Sequence, residues 1–287
     1  MLNRMIGIII LNYNTWDETI ECVKSIIQYH DMRDKIIYIV DNNSPNGIEK
    51  KQKDFFLDKK NINLIFNKEN KGYSAGNNIG LSKAIEDGCD YFLICNSDIV
   101  FKDNTIDILR DSINVLPNDV SIVGPRIYNI EDKFQKFMFV IKLTYSVKIK
   151  LILSHTPLKI FLKKFLADFY YSNEYFESPK EVFCVMGCCF MISTVGIKCL
   201  YPLDENTFLY DEEFIIGCVN ELNKLKTYII PNTKVIHAHG VSTSKSSNKT
   251  NIYMIESEQY YLKKYLNTNY FARKFLYFLR LLSKKFS

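Results

Sequence analysis

The sequence predicts an α/β protein: a mainly parallel central sheet covered by helices on both faces, in a Rossmann-like αβα sandwich. Three observations predict it. Apolar runs alternate with amphipathic helical stretches along the N-terminal third of the chain. The runs are continuous in their apolar character, as in strands buried on both faces. Three of these strands end in polar clusters, NYN, DNNS and NSD, and right-handed crossovers bring such ends to one edge of a sheet.

In order, MIGIIILNYN is a strand and TWDETIECVKSIIQYH a helix. Thr15 and Glu18 have the spacing of a capping box, and Trp16, Ile20, Val23 and Ile27 share a face. KIIYIVDNNS and INLIFN are the second and third strands. NKGYSAGNNIG reads as a polar, glycine-rich loop that opens a helix over roughly Asn77–Asp87, stopped by Gly88. DYFLICNSDIV is the next strand, and DNTIDILRDSINVL a helix with Ile106, Leu109, Ile113 and Leu116 along it. After SIVGPRIY the pattern loosens. Residues 133–175 form a lysine-rich, aromatic insertion with one helix-like piece, LKIFLKKFLADFYY. EVFCVMGCCFMIS then reads as a strand, a turn at Gly187 and a strand; FLYDEEFIIGCVNELNKL as a helix with an acidic start; TYIIPNTKVIHAHG as a strand pair. The expected organisation is one catalytic domain over 1–250 that carries the 133–175 insertion, and a helical tail over 251–287.

Composition narrows the class. Of 287 residues, 47% are hydrophobic and 24% charged, a globular balance that excludes disorder for most of the length. No secretory signal is expected, since MLNRMIGIIILNYN ends in NYN and lacks a small-residue cleavage site. No run approaches the roughly 20 apolar residues of a spanning helix. The eight cysteines form no CxxC pair and sit mostly among apolar residues, so reduced buried thiols and a cytoplasmic location are expected. The net charge of +5 is uneven, with eight lysines and no acid between Lys133 and Ala167.

Ligands of open α/β sheets bind outside the carboxyl ends of the strands. Asn12, Asp41 and Asp98 should therefore line one crevice. Asp98 stands at a strand end behind Asn96 among apolar residues, a costly place for a carboxylate unless it is paired or holds a cation. Asp41 opens DNNS, whose carboxylate and carboxamides suit a base or ribose edge, and equally an Asx turn. Glycines 72, 76 and 80 with Lys71 suit a diphosphate, although the loop is neither GxGxxG nor a P-loop. Asp211, Glu212 and Glu213 exceed what helix capping requires, and one of them could act as a general base. His237 and His239 alternate along a strand, so at most one enters the crevice.

The ordered set VDNNS, NKGYSAGNNIG, NSD, GCCFMIS, FLYDEE and VIHAHG resembles the family 2 glycosyltransferases, in particular the bacterial rhamnosyltransferase and capsule or O-antigen sugar transferase branch. The resemblance covers residues 5–126 and 182–243 and leaves the insertion and tail unmatched. It implies the GT-A fold and a nucleotide-diphospho-sugar donor. It implies that Asp41 reads the base, with Asn12, Tyr13, Asn14 and Asn43 nearby. Lys71, Gly72 and Asn77 then close on ribose and diphosphate. Asn96-Ser97-Asp98 matches the DxD motif with its first Asp replaced by Asn, which makes Asp98, helped by His237, the ligand of Mg²⁺ or Mn²⁺. In the family's Glu-Asp-x-Asp pattern the base falls at Glu213, with Asp211 and Glu212 as alternatives, and Ile215 replaces the later Asp. The implied reaction is inverting, metal-dependent sugar transfer from a UDP- or dTDP-sugar, dTDP-rhamnose among them, to a hydroxyl.

The basic parts suit a lipid-linked or glycan acceptor at the inner face of the cell membrane. In the tail, Phe271, Phe275, Phe278 and Leu282 share a helical face, with Arg273, Arg280 and Lys284 elsewhere, so 133–175 and 270–287 are expected to meet an anionic membrane surface. The tail could instead pack on its own domain or on a second subunit of a homodimer. Nothing in the basic stretches resembles a groove-reading motif, so nucleic acid is not expected as a partner. Two competing readings are a sugar nucleotidyltransferase, which would want a glycine-rich basic loop where NYNTWDET stands, and a non-catalytic member of the same fold, encouraged only by Asn96 and Ile215.

Overall fold

The computed structural model describes residues 4–57, 59–135, 138–171, 176–238 and 247–283. The chain runs β1 (Ile6–Asn12), α1 (Trp16–Tyr29), β2 (Lys35–Asp41), α2 (Lys50–Phe56), β3 (Ile62–Phe66), α3 (Tyr73–Glu86), β4 (Tyr91–Asn96), β5 (Ile99–Phe101), α4 (Thr105–Val115), β6 (Val120–Gly124) and β7 (Ile127–Tyr128). The insertion supplies β8 (Met138–Phe139), α5 (Tyr145–Leu153), α6 (Lys163–Phe169) and β9 (Tyr170–Tyr171). Then follow β10 (Lys180–Val182), β11 (Cys189–Ile192), α7 (Thr194–Leu200), α8 (Glu212–Leu222), β12 (Lys226–Ile229), β13 (Val235–His237), α9 (Ser247–Lys264) and α10 (Tyr270–Ser283).

The main sheet has the order β10-β12-β6-β11-β4-β1-β2-β3. The β1–β2, β1–β4, β2–β3 and β12–β6 pairings are parallel. β11 lies antiparallel between β4 and β6, and β10 antiparallel on β12. The sheet is thus mixed and mostly parallel, as expected. The expected strand–turn–strand at 181–193 is not a hairpin, because β10 and β11 join the sheet at separate places. Likewise β13 leaves the main sheet and pairs with β5 and β7 in a small second sheet.

Ile6, Ile8, Ile9 and Ile10 of β1 have no exposed surface, and at about 1.5–3 kcal/mol per buried side chain they fix the register of the central strand. α3 begins at Tyr73, earlier than the glycine-rich stretch suggests. The reason is packing. A Cβ at Gly76 would sit 2.4 Å from Leu11 and one at Gly80 2.6 Å from Ile9. Glycines four residues apart share a helix face, so they let α3 lie directly on β1. The expected capping box at Thr15 and Glu18 is absent: Thr15 makes no side-chain cap bond to α1, because its hydroxyl is committed elsewhere. Six of the eight cysteines are buried, and all are free thiols.

The insertion and the tail pack together over α8. Leu143, Val147, Phe214, Ile215, Cys218 and Tyr261 form one apolar cluster, and Ile152, Leu262 and Leu276 another. That accounts for Ile215, an apolar residue at a position the family pattern fills with Asp. Among the described residues no helix is long and apolar enough to cross a membrane.

Candidate functional site

A cavity of about 440 Å³ opens at the carboxyl ends of β1 and β4, walled by Tyr13, Gly72, Tyr73, Asn96, Asp98 and Phe208 among others. Its floor is a network of short polar side chains. Asn12 Oδ1 accepts from Thr15 N, Thr15 Oγ1 and Thr19 Oγ1 at 3.2, 3.0 and 3.0 Å. Its Nδ2 donates to Asp41 Oδ1 at 2.6 Å, and Asp41 also accepts from the Ser44 amide and hydroxyl at 3.0 and 2.5 Å. The Thr15 hydroxyl bonds Ser97 Oγ at 2.8 Å, tying the turn after β1 to the turn after β4. Asn12 and Asp41 therefore lie buried beneath the cavity, while Tyr13 stands on its wall. Asn14 and Asn43 are exposed and left-handed, with φ of 58° and 60°.

Asn42, one of the two carboxamides of DNNS, organises the next wall. Its Nδ2 donates to Asn70 Oδ1 and Gly72 O at 2.8 and 3.1 Å, and its Oδ1 accepts from Asn67 Nδ2 at 2.9 Å. Gly72 has φ 98°, and a Cβ there would lie 2.2 Å from the Phe208 carbonyl oxygen. The Tyr73 amide donates to that same oxygen at 2.9 Å. Phe208 stacks in turn on Tyr253 of α9, centroids 4.2 Å apart, so the tail helix contributes a wall that no sequence signal foretells. Lys71 is exposed and pairs with Glu69 at 2.7 Å, outside this wall. Asn77 is buried within α3; its Nδ2 donates to Tyr73 O at 3.0 Å, and its Oδ1 has no partner among the described residues.

Asp98 lies in the short junction between β4 and β5, on the cavity wall. The β5–β13 register sets His237 opposite Ile99, which brings His237 Nε2 to 3.4 Å from Asp98 Oδ1. Both are buried. His239 lies outside the described residues. One carboxylate and one imidazole, with Asn96 lining the same cavity, are donors that suit a divalent cation whose other positions are filled by ligand oxygens or water. Among the described residues no group of three or more His, Cys, Asp and Glu is placed to hold a metal by itself.

The three acids of 211–213 have three different environments. Asp211 accepts from Lys148 Nζ at both oxygens, 3.1 and 3.0 Å. Glu213 Oε1 accepts from the Gly187 amide at 3.0 Å, bracing the segment before β11. Glu212 is buried, and its Oε1 has no hydrogen-bond partner among the described residues. Burial first, then the Glu213 carboxylate, pushes the Glu212 carboxyl well above the ordinary glutamate range, although backbone bonds at Glu212 and Tyr210 pull it back. Glu213 is raised too by burial, but its own amide and that of Gly187 pull it back. Tyr73, a wall of the cavity, donates to Gly187 O; burial and then the Glu212 and Glu213 charges raise its phenol.

The sequence profile of Glycosyl transferase family 2 matches residues 7–200. A relative, Glycosyltransferase GlyG of Streptococcus pneumoniae serotype 4, is 28% identical over 139 residues, 48% of this chain and 44% of its own. Among solved structures, a crystal structure of GalNAc-T7 with UDP, GalNAc and Mn²⁺ superposes with a TM-score of 0.66 at 15% identity, over 91% of this chain and 48% of that one. This likeness is one of fold. The chain spans less than half the length of either protein.

Proposed function

The chain belongs to glycosyl transferase family 2, and from that premise we propose that it is an inverting, metal-dependent glycosyltransferase. It moves a sugar from a UDP- or dTDP-sugar to a hydroxyl of a lipid-linked or glycan acceptor, in bacterial surface polysaccharide synthesis at the cytoplasmic membrane face. The observation that carries this reading is the Asp98–His237 pair, 3.4 Å apart on the wall of a cavity of nucleotide-sugar size. UDP and Mn²⁺ in the GalNAc-T7 crystal structure support the same class of donor and cation.

Asp98 and His237 would hold Mg²⁺ or Mn²⁺. A cation there supplies Lewis-acid neutralisation of the charge on a departing diphosphate. Asn42, Asn70 and Gly72 carry the loop that closes over the donor, and Tyr13 offers an aromatic face to it. Asp41, through Ser44, fixes the turn that borders the base. Glu213 is the base by the family pattern, yet Glu212 is favoured by its buried Oε1, which has no partner among the described residues and can take the proton of an attacking hydroxyl, whereas the Glu213 Oε1 accepts from Gly187. Such a base works only when ionised. Raised above the ordinary glutamate range, Glu212 makes transfer fail on the acid side at a pH higher than an ordinary glutamate would, and recover as pH rises through that value.

Titration calorimetry with UDP and with dTDP, each with and without Mn²⁺, tests the reading. Binding of one nucleotide that requires the metal and is lost in Asp98→Ala, with unchanged circular dichroism, is the expected result. Metal-independent binding, or full activity in Asp98→Ala, would falsify the metal role.

A further inference from the structure

The insertion and the two tail helices meet the acidic segment in one buried charge cluster. Lys148 of α5 donates to both Asp211 oxygens and lies 3.3 Å from Glu258 Oε1 of α9. Glu258 is gripped by Arg280 of α10, Nη2 to Oε1 at 2.5 Å and Nε to Oε2 at 3.1 Å. Two cations face two carboxyl groups, and the Lys148 ammonium also lies over the Tyr261 ring, 5.2 Å from its centre. What it grips is an unusual piece of backbone. Tyr210 and Asp211 are both left-handed, φ 78° and 64°, a conformation that side-chain-bearing residues hold only where surroundings impose it. Ser257 of α9 fixes the carbonyl just before, donating to Leu209 O at 2.8 Å. Glu212 is the next residue. Three of the four charged residues lie beyond residue 200, where the family match ends.

We propose that Lys148 and Arg280 are positioning residues for the Glu212 carboxylate, acting through Asp211 and Glu258, so that the insertion and the tail complete the reacting site. The inference rests on the reading of Glu212 as the base. Lys148 holds Asp211 in its left-handed turn, Arg280 holds Glu258 against Lys148, and the turn aims the first residue of α8. Without Lys148, Asp211 loses its counter-charge and the turn relaxes.

The test compares wild type with Lys148→Met, Lys148→Arg, Arg280→Met, the pair Lys148→Met with Asp211→Asn, and Glu212→Gln. The assay is release of nucleoside diphosphate, with Mn²⁺ and with water as the sugar acceptor, from whichever of UDP-glucose, UDP-galactose, UDP-N-acetylglucosamine and dTDP-rhamnose the wild type turns over fastest. The groups facing Glu212 are Glu213 and Asp211 on its own segment, Tyr210 before it, and Tyr73 from α3. Lys148→Met should lower kcat about 100-fold, the scale of a misplaced catalytic group, while donor KM stays within a few-fold. Its acid limb should move, because Lys148 is what holds the buried Asp211 carboxyl down, and its loss changes the charge that Asp211 presents to Glu212. Lys148→Arg should restore most of kcat, and the neutral pair should return the acid limb towards wild type. Amide exchange of peptides covering 207–214 should quicken in Lys148→Met and Arg280→Met while β1 and β4 stay protected. An unchanged kcat and acid limb in Lys148→Met, with Glu212→Gln inactive, overturns the inference alone. So does unchanged exchange over 207–214, a result readable even without turnover. An active Glu212→Gln overturns instead the reading on which it rests.

Discussion

Asn42 holds three strands of chain with one carboxamide, while Asp41 beside it is occupied with Asn12 and Ser44. Asn42→Ala removes three hydrogen bonds, at about 0.5–1.5 kcal/mol each, while Gly72 O keeps the Gly76 amide and Asn70 Oδ1 the Gly72 amide. We expect a melting temperature lower by several degrees and weaker UDP binding by calorimetry; wild-type values for both would reject the hub. The pair Glu212→Gln and Glu213→Gln separates the two candidates for the base. The first should lose about 10²–10⁴ in kcat, the usual contribution of general base catalysis, and keep UDP binding; the second should lose stability more than turnover. Sequence alone distinguishes these residues poorly, because Asp211, Glu212 and Glu213 are adjacent acids, and only the fold assigns one to Lys148, one to Gly187 and leaves the Oε1 of the third without a partner among the described residues.

At the scale of elements, the βα alternation through β4 is legible because continuous apolar runs leave few other solutions. The antiparallel entry of β11 is not, since CCFMI carries no mark of which strands it will meet. The glycines of 72–80 illustrate the same limit: the spacing of four reads as phosphate chemistry or as helix–sheet contact, and the packing against Leu11 and Ile9 decides. Gly72→Ala should be more damaging than an ordinary exposed substitution, since it meets the Phe208 backbone and an unfavourable φ. Loss of donor binding with the melting transition lowered is the expected result. The turn at 204 offers a pH test. Burial would raise the Asp204 carboxyl, but bonds from Tyr265, Asn206 and Tyr260 outweigh it and hold the group well below the ordinary range. Its stabilising contribution is thus present above the ordinary aspartate pKa and is lost as pH falls below it. Thermal melts of Asp204→Asn and wild type should differ at neutral pH and converge at strongly acidic pH; a constant gap would reject the linkage.

Over the whole molecule, basic and apolar surface gathers on the insertion and tail. Phe271, Phe275 and Phe278 are 83%, 52% and 55% exposed, whereas Arg280 of the same helix turns inward to Glu258, a change from the outward basic face its spacing suggests. Lys148 is likewise spent inside. Replacing Phe271, Phe275 and Phe278 with Ser should reduce co-sedimentation with phosphatidylglycerol vesicles and leave the melting temperature unaltered; undiminished sedimentation would remove the membrane from the proposal. The position of β11 carries a further consequence, for the order in which the protein can be made. β4 is flanked by β1 on one side and by β11 on the other, so during synthesis its second edge stays open until Cys189–Ile192 has left the ribosome. An apolar edge such as Tyr91–Cys95 is a template for intermolecular pairing. A fragment ending at residue 178 should therefore aggregate although it contains the β1–β4 core, and the nascent chain is at its most vulnerable while the insertion is being translated.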